Sequence, residues 1–433
     1  MRCIAIIGAG VTGVTTAYAL VRRGYKVTVY DRNRYAAMET SFANGGQLSA
    51  SNSEVWNNWA SISKGLRWML RADAPLLFNL KPSWHKYSWI AEFLLATREY
   101  KQNTQETVRL AILARKHLSE IAQEEGIEFN HSSCGILHFY NCRKDFEKAK
   151  AINKVLCAAG LERREVDGHE VKKIEPSLKQ DYVGGFFTAG DASGDIHRFT
   201  RDLTAACRRH GAEFIFDTDV ERLKVNRTSV SLKCWSKADP QEPVVADHDA
   251  VVICAGVGSR KYASQVGDRV NVYPVKGYSI TVPLKDSDNK AAAPKVSLLD
   301  EEAKIVTSRL GDDRYRVAGT AEINGYSRDI RQDRIRPLSD WVNIHHPGLD
   351  TSGAVPWAGL RPMMPNMMPR ATRGKSDRVF YNTGHGHLGW TLCAATADII
   401  AEIVSSQTKE VRTSPLPILK SKARASTNQV TDI

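Results

Sequence analysis

The chain has 433 residues, a formal net charge of +12 and 42% hydrophobic residues. That length leaves room for two or three domains with sizeable cores, and no stretch reaches the roughly 20 consecutive apolar residues that a membrane span needs. The cations are scattered without a run of five, which argues against a nucleic-acid partner.

In chain order, the apolar run Cys3–Ile7 reads as a buried parallel strand, followed by the turn GAGVTG at 8–13 and a helix reaching Leu20 to Arg23. Gly24 is placed to end that helix, and Lys26–Tyr30 returns as a second strand carrying Asp31 at its tip. A glycine turn stands where a signal peptide would have its cleavage site, so the reading is cytoplasmic. The stretch 55–126 is helix-rich, with Leu110, Ala114, Leu118 and Ile121 on one face of 104–125. Strands are expected at 135–140, 184–188, 213–216, 250–255, 272–282, 315–319 and 379–382. Helices are expected at 199–209 and 391–405, and short strands alternate over 220–235. The eight cysteines offer neither a CxxC pair nor a zinc knuckle; Cys3, Cys254 and Cys393 lie in apolar runs and read as reduced core thiols. No metal is expected.

GxGxxG alone is weak. Here it follows a strand, opens a helix, and precedes an acidic residue 18 positions beyond Gly13. Gly8 allows the tight turn, Gly10 lets the backbone approach a pyrophosphate, and Gly13 allows close helix–strand packing. Ala9, Val11 and Thr12 belong to the same phosphate-facing loop, whose helix N-terminus offers free N–H groups. Asp31 would accept from ribose hydroxyls, with Arg32 and Asn33 beside it. FAD is favoured over NAD by two further strand–glycine elements. AVVICAG at 250–256 supplies Ala255 and Gly256. NTGHGHLGWT at 382–391 could aim a helix N-terminus at a flavin ring through Gly384, His385, Gly386, His387, Leu388, Gly389, Trp390 and Thr391. Ser41, Asn44, Gly45, Gly46, Gln47 and Val220 complete the expected cofactor contacts.

The stretches SFANGGQLS at 41–49, PVKGY at 274–278, GLRPM at 359–363 and NTGHGHLGWT at 382–391 together resemble the bacterial FAD-dependent D-amino-acid dehydrogenases of the small-subunit type, within the D-amino-acid oxidase superfamily. The likeness spans nearly the whole chain; GLRP is shared more widely with amine- and imino-acid-oxidising relatives. It implies an α/β fold: a Rossmann-type FAD-binding domain assembled from separated segments, plus an α+β substrate domain with an antiparallel sheet. The expected division is 1–55, 190–265 and 355–406 for the FAD-binding domain, 56–189 and 266–354 for the substrate domain, and a flexible tail at 407–433. The implied reaction oxidises a D-amino acid to an imino acid, which water converts to a 2-oxo acid and ammonia. D-proline or a hydroxylated form is an open alternative for the substrate. Arg361 matches the carboxylate-binding arginine, a role its planar guanidinium suits. Tyr278 and His387 are further catalytic candidates, His385 is a second candidate base by position, and Gln47 and Trp390 are candidate substrate contacts. The run DEEA at 300–303 departs from a tyrosine-bearing turn in relatives, and His387 stands where threonine is common, which leaves the preferred side chain open.

The resemblance also implies electron transfer to a respiratory acceptor, a quinone being expected. Trp56, Trp59, Trp68, Trp84 and Trp89, interleaved with Lys64, Arg67, Arg71, Lys81 and Lys86, suit a peripheral membrane contact on the inner face of the cell membrane. Two other readings stay open: a sarcosine- or glycine-type secondary amine oxidase, and an RNA-modifying flavoprotein, for which no spare domain exists.

Overall fold

Each residue of the strands Cys3–Ile7 and Lys26–Tyr30 after the first two is buried, and the two strands pair in parallel. They are central in a six-stranded sheet ordered Arg370–Arg373, Val379–Thr383, Ala250–Ile253, Cys3–Ile7, Lys26–Tyr30, Glu213–Ile215. All pairings are parallel except that of the edge strand Arg370–Arg373. The unbroken apolar run is explained by cover on both faces. Ile4, Ile6, Val27 and Val29 pack with the helices Val11–Val21, Ile196–Arg209 and Gly389–Lys409. Ala5, Ile7 and Tyr30 pack with a three-stranded sheet, Thr218–Val225, Val230–Ser236 and Val244–His248, and with the helix Ser259–Gln265. The computed structural model describes residues 2–68, 76–239 and 241–409.

The second body is a nine-stranded, mainly antiparallel sheet. Its path runs Val355–Met363, Tyr273–Pro283, Arg314–Ile323, Ile305–Leu310, Ser297–Asp300, Ile136–Tyr140, Gly184–Thr188, Arg164–Asp167, and Leu76–Phe78 pairs with Arg314–Ile323. One face packs Tyr278, Ile280 and Val317 against Leu338, Trp341 and Val342 of the helix Gln332–His345. The other face turns toward the first body: Ser279 donates to the Ala43 carbonyl at 2.8 Å, and Ser308 to the Gly45 carbonyl at 2.7 Å.

Two expected boundaries are corrected. Val355–Met363, assigned above to the FAD-binding segment starting at 355, pairs along its whole length with Tyr273–Pro283, so the chain leaves the substrate sheet only after Met363. The last helix runs to Lys409, past the expected end at 406, because its apolar face stays buried through Val404; the remainder of the expected tail, 410–433, lies outside the described residues. All eight cysteines are free thiols, and Cys207, Cys234, Cys254 and Cys393 are buried. Among the described residues no helix is long and apolar enough to cross a membrane, and no cluster of His, Cys, Asp and Glu could hold a metal ion.

Candidate active site

A cavity of about 1460 Å³ is lined from both bodies. It begins at the glycine-rich turn. Gly8 has φ +106°, and a Cβ there would meet the Cys254 carbonyl oxygen at 2.6 Å. A Cβ on Gly13 would overlap the Gly8 carbonyl. Gly10 differs from both: it has an ordinary φ of −72°, and a Cβ would meet only Ser41 Oγ, at 3.5 Å. The protein itself leaves that space open, facing the cavity, which is what close approach of a pyrophosphate requires. The Val11 N–H donates to Ser41 Oγ at 3.0 Å. Asp31 accepts from the Ala9 N–H at 2.6 Å and the Asn33 N–H at 2.8 Å, so it holds the turn while facing the cavity. Burial raises its carboxyl above the usual range, against the pull of those two N–H groups. Arg32 donates to Glu39 at 2.6 Å.

Every expected cofactor residue lines the cavity except Ala9 and Gly13, which shape the turn from behind. Val220, whose carbonyl accepts from the Tyr262 hydroxyl at 2.9 Å, lies at the Asp31 end with Ala255 and Gly256. The stretch 41–49 bridges the bodies. The Asn44 carbonyl accepts from Arg316, and the Gln47 amide donates to the carbonyls of Leu298 at 2.9 Å and Thr307 at 3.1 Å. The Gln47 amide nitrogen thus anchors one body to the other, while the residue also lines the cavity. Residues 384–388 connect Val379–Thr383 to the last helix, Gly389–Lys409, in whose first turn Thr391 Oγ1 accepts from the Ser49 N–H at 3.1 Å.

The cavity-lining face of the nine-stranded sheet carries a hollow. Gly277 pairs with Gly359, and an added Cβ at Gly277 would overlap the Arg361 guanidinium, while one at Gly359 would overlap the Trp357 ring. Two glycines thus let two large side chains lie flat along the cavity wall. Arg361 Nη1 donates to the Thr320 carbonyl at 3.2 Å, and no carboxylate pairs with it among the described residues. Burial alone pulls its pKa down to about 10. A half-buried guanidinium at a cavity wall, without a counter-ion, suits an anionic ligand. The stretches PVKGY and GLRPM both point here, but neither gives Gly277 or Trp357 a role of its own.

Three other expected site residues have protein contacts of their own. The Tyr278 hydroxyl donates to Glu322 at 2.6 Å on the helix-covered face, opposite Gly277 and Arg361, because strand alternation turns it away. It joins a buried cluster in which Lys276 also pairs with Glu322 at 3.0 Å. The Trp390 ring packs edge-on against Phe199 and Phe129 in the first core. His385 is buried with Nε2 2.9 Å from Thr396 Oγ1, and burial lowers its pKa to about 3. His387 stays at the cavity, stacked on Trp56 with centroids 4.7 Å apart, and donates to the Asn52 carbonyl at 3.3 Å. Burial, then the charge of Arg361, lowers its pKa to about 4.

A family model described as FAD dependent oxidoreductase matches residues 3–403. The chain belongs to that family. A D-amino acid dehydrogenase 3 of Mesorhizobium japonicum is 56% identical over 406 residues, 94% of this chain and 98% of the relative. Among solved structures, glycine oxidase from Bacillus cereus aligns with a TM-score of 0.70 at 19% identity, covering 94% of this chain and 96% of that one. An FAD-bound L-alpha-glycerophosphate oxidase from Mycoplasma pneumoniae aligns with a TM-score of 0.69 at 18% identity, over 93% and 94% of the two chains. As a family member the protein is an FAD-dependent oxidoreductase, and the turn at 8–13, the open side of Gly10 and the cavity beyond fit that cofactor.

Proposed function

We propose that the protein oxidises D-amino acids, with Arg361 gripping the substrate carboxylate and FAD bound from the turn at 8–13 toward residues 384–391. The observation that carries this reading is the half-buried guanidinium, without a carboxylate partner among the described residues, laid across Gly277 in the same cavity as the dinucleotide turn. The similarity to the Mesorhizobium dehydrogenase over nearly both whole chains supports the substrate class and its handedness. When bound, FAD supplies a hydride acceptor for the substrate Cα–H. The chain's own contribution is orientation: a two-pronged hold on the carboxylate fixes which way Cα–H points. The amine must lose a proton first. Burial and the charge of Arg361 hold His387 neutral at neutral pH, and its ring forms a hydrogen-bonding wall against Trp56.

The test is anaerobic bleaching of the yellow protein by D- and L-amino acids, glycine, sarcosine and both prolines. Bleaching by D-amino acids that slows at least about 100-fold in Arg361→Ala is the expected result. Reduction by glycine or sarcosine instead, with every D-compound inert, would sink it.

The electron acceptor belongs to the same proposal: a membrane quinone, reached from the segment 59–95. Trp84 is 81% exposed, Leu80 77%, Trp59 70% and Leu95 62%, an apolar set suited to a headgroup layer. Not every residue expected there takes part. Trp89 is buried and donates to the Met363 carbonyl at 2.8 Å, and Lys86 is buried with its ammonium donating to the Asn79 and Lys81 carbonyls. Arg71 and the side chains of Arg67 and Trp68 lie outside the described residues. Sedimentation with anionic vesicles should fall at least about 10-fold in Trp59→Ser/Trp84→Ser, and unchanged sedimentation would rule the surface out.

A further inference from the structure

The turn at 300–305 departs from the tyrosine-bearing pattern, and the structure gives it a firm shape. Asp300 Oδ1 accepts from the Glu302 and Ala303 N–H groups, Asp300 Oδ2 accepts from the Trp341 indole at 2.9 Å, and Lys304 has φ +56°. This geometry brings Glu301 and Lys304 into the cavity wall, where the Lys304 ammonium lies 2.5 Å from Glu301 Oε2. Glu301 Oε1 faces His138 Nδ1 at 3.0 Å, and His138 Nε2 faces Ser51 Oγ at 2.9 Å. A carboxylate can only accept, so His138 carries its proton on Nδ1, and the Ser51 hydroxyl donates to Nε2. Both oxygens of Glu301 are thereby engaged. Lys304 has three donors, of which Glu301 takes one, and its side chain is half open to the cavity. The unused capacity of this wall is therefore donors.

Its electrostatics lean the same way. Burial raises the Glu301 carboxyl, but Lys304 and His138 outweigh that and hold it well below the usual range, so it is ionised and paired. Glu54, also on the cavity, is raised by burial and accepts from Tyr100 at 2.6 Å; Asp145 is paired with Lys148 at 3.0 Å. Lys64 is depressed by burial and then by the like charge of Lys304, and Arg163 bears on Glu54 and His138. Positive charge is in surplus. The charges of Arg361 and Lys304 both reach His387, which ties this wall to the proposed carboxylate site.

We propose that Lys304, held by Glu301 and the His138–Ser51 pair behind it, is the recognition group for the substrate side chain, and that it takes a D-amino acid whose side chain ends in a carboxylate. This rests on the reading of Arg361 as the α-carboxylate site. A dicarboxylate would then be held at both ends.

The experiment uses the FAD-loaded protein. Anaerobic flavin reduction by D-glutamate, D-glutamine, D-alanine and D-lysine is compared in the wild type, Lys304→Met and Lys304→Gln. The wild type is expected to prefer D-glutamate over D-glutamine at least 10-fold in kcat/KM, and that ratio to fall at least 10-fold in either variant. Glutarate, which carries two carboxylates and no amine, should perturb the flavin spectrum of the wild type with a Kd at least 10-fold below that of butanoate, a comparison that needs no variant. Equal rates with D-glutamate and D-glutamine, or a preference that survives in both variants, overturns the side-chain assignment while leaving D-amino-acid oxidation intact. Failure of every D-amino acid, with glycine or sarcosine reducing the flavin, overturns both.

Discussion

Thr320 is an expensive residue to keep where it is. A β-branched side chain at φ +55° is strained by about 1–3 kcal/mol, and its buried hydroxyl has no partner among the described residues. It is the extra residue of a bulge: Gly277 pairs with Ala321 and Tyr278 with Gly319, leaving Thr320 between them. What the bulge delivers is a carbonyl aimed at Arg361 Nη1. Thr320→Gly should relieve both costs, so thermal unfolding should shift upward or hold. The kcat/KM for D-alanine should fall about 10-fold as the carbonyl loses its fixed direction. A lower Tm with unaltered kinetics would show that the bulge serves packing alone. At this scale the sequence was read unevenly. Arg361 was legible because GLRPM is a contiguous stretch. Thr320 and Trp357 were not, and Gly277 stands in PVKGY without a role of its own, because their meaning lies in a register between strands far apart in the chain. The partner of the Tyr278 hydroxyl, Glu322, is hidden for the same reason, because it stands on the neighbouring strand Arg314–Ile323, more than 40 positions along the chain.

Among elements, the dinucleotide turn was the most legible, because its strand, glycines, helix and acid are all local. Cys3–Ile7 and Lys26–Tyr30 stand where apolar periodicity put them. The turn also separates two functions that a motif string merges. Gly13→Ala drives a methyl into the Gly8 carbonyl and should cost folded protein outright. Gly10→Ala meets only Ser41 Oγ at 3.5 Å with a permitted φ, so the FAD-free protein should keep its stability to within about 0.5 kcal/mol. FAD affinity should nevertheless drop at least about 10-fold, because the methyl occupies the space reserved for the pyrophosphate. Flavin-fluorescence titration of both variants, beside their thermal unfolding, checks the contrast. Less legible were the helices Arg143–Ala158 and Gln332–His345, the second carrying Pro337 within it, and the stretch 55–126, where the short strand Leu76–Phe78 interrupts the expected helices.

For the whole molecule, a parallel sheet announced itself by unbroken apolar runs, whereas the nine-stranded sheet did not. Its order joins strands from both sides of the first body, and the pairing of Ser297–Asp300 with Ile136–Tyr140 spans more than 150 residues. Only local periods can be read from a chain, so the placement of Val355–Met363 was lost with it. Global packing has a further consequence, for acid stability. His385 and His346 are lowered to about 3, and His138 and His387 to about 4, in each case first by burial. In the unfolded chain these imidazoles return to about 6.5. Between those values the unfolded state binds more protons, so the stability these neutral histidines contribute is fully present above about pH 6.5 and is lost as pH falls toward 4. Tm should be flat from pH 8 to 7 and drop by about 5 °C or more by pH 4.5. His385→Gln keeps a hydrogen-bonding group beside Thr396 but removes one titration, so its Tm should fall less steeply over the same interval. A wild-type Tm that stays level down to pH 4.5 would mean that these histidines find water or a proton acceptor in the folded protein. A variant that tracks the wild type would exempt His385 alone, and the slope would then belong to the other three.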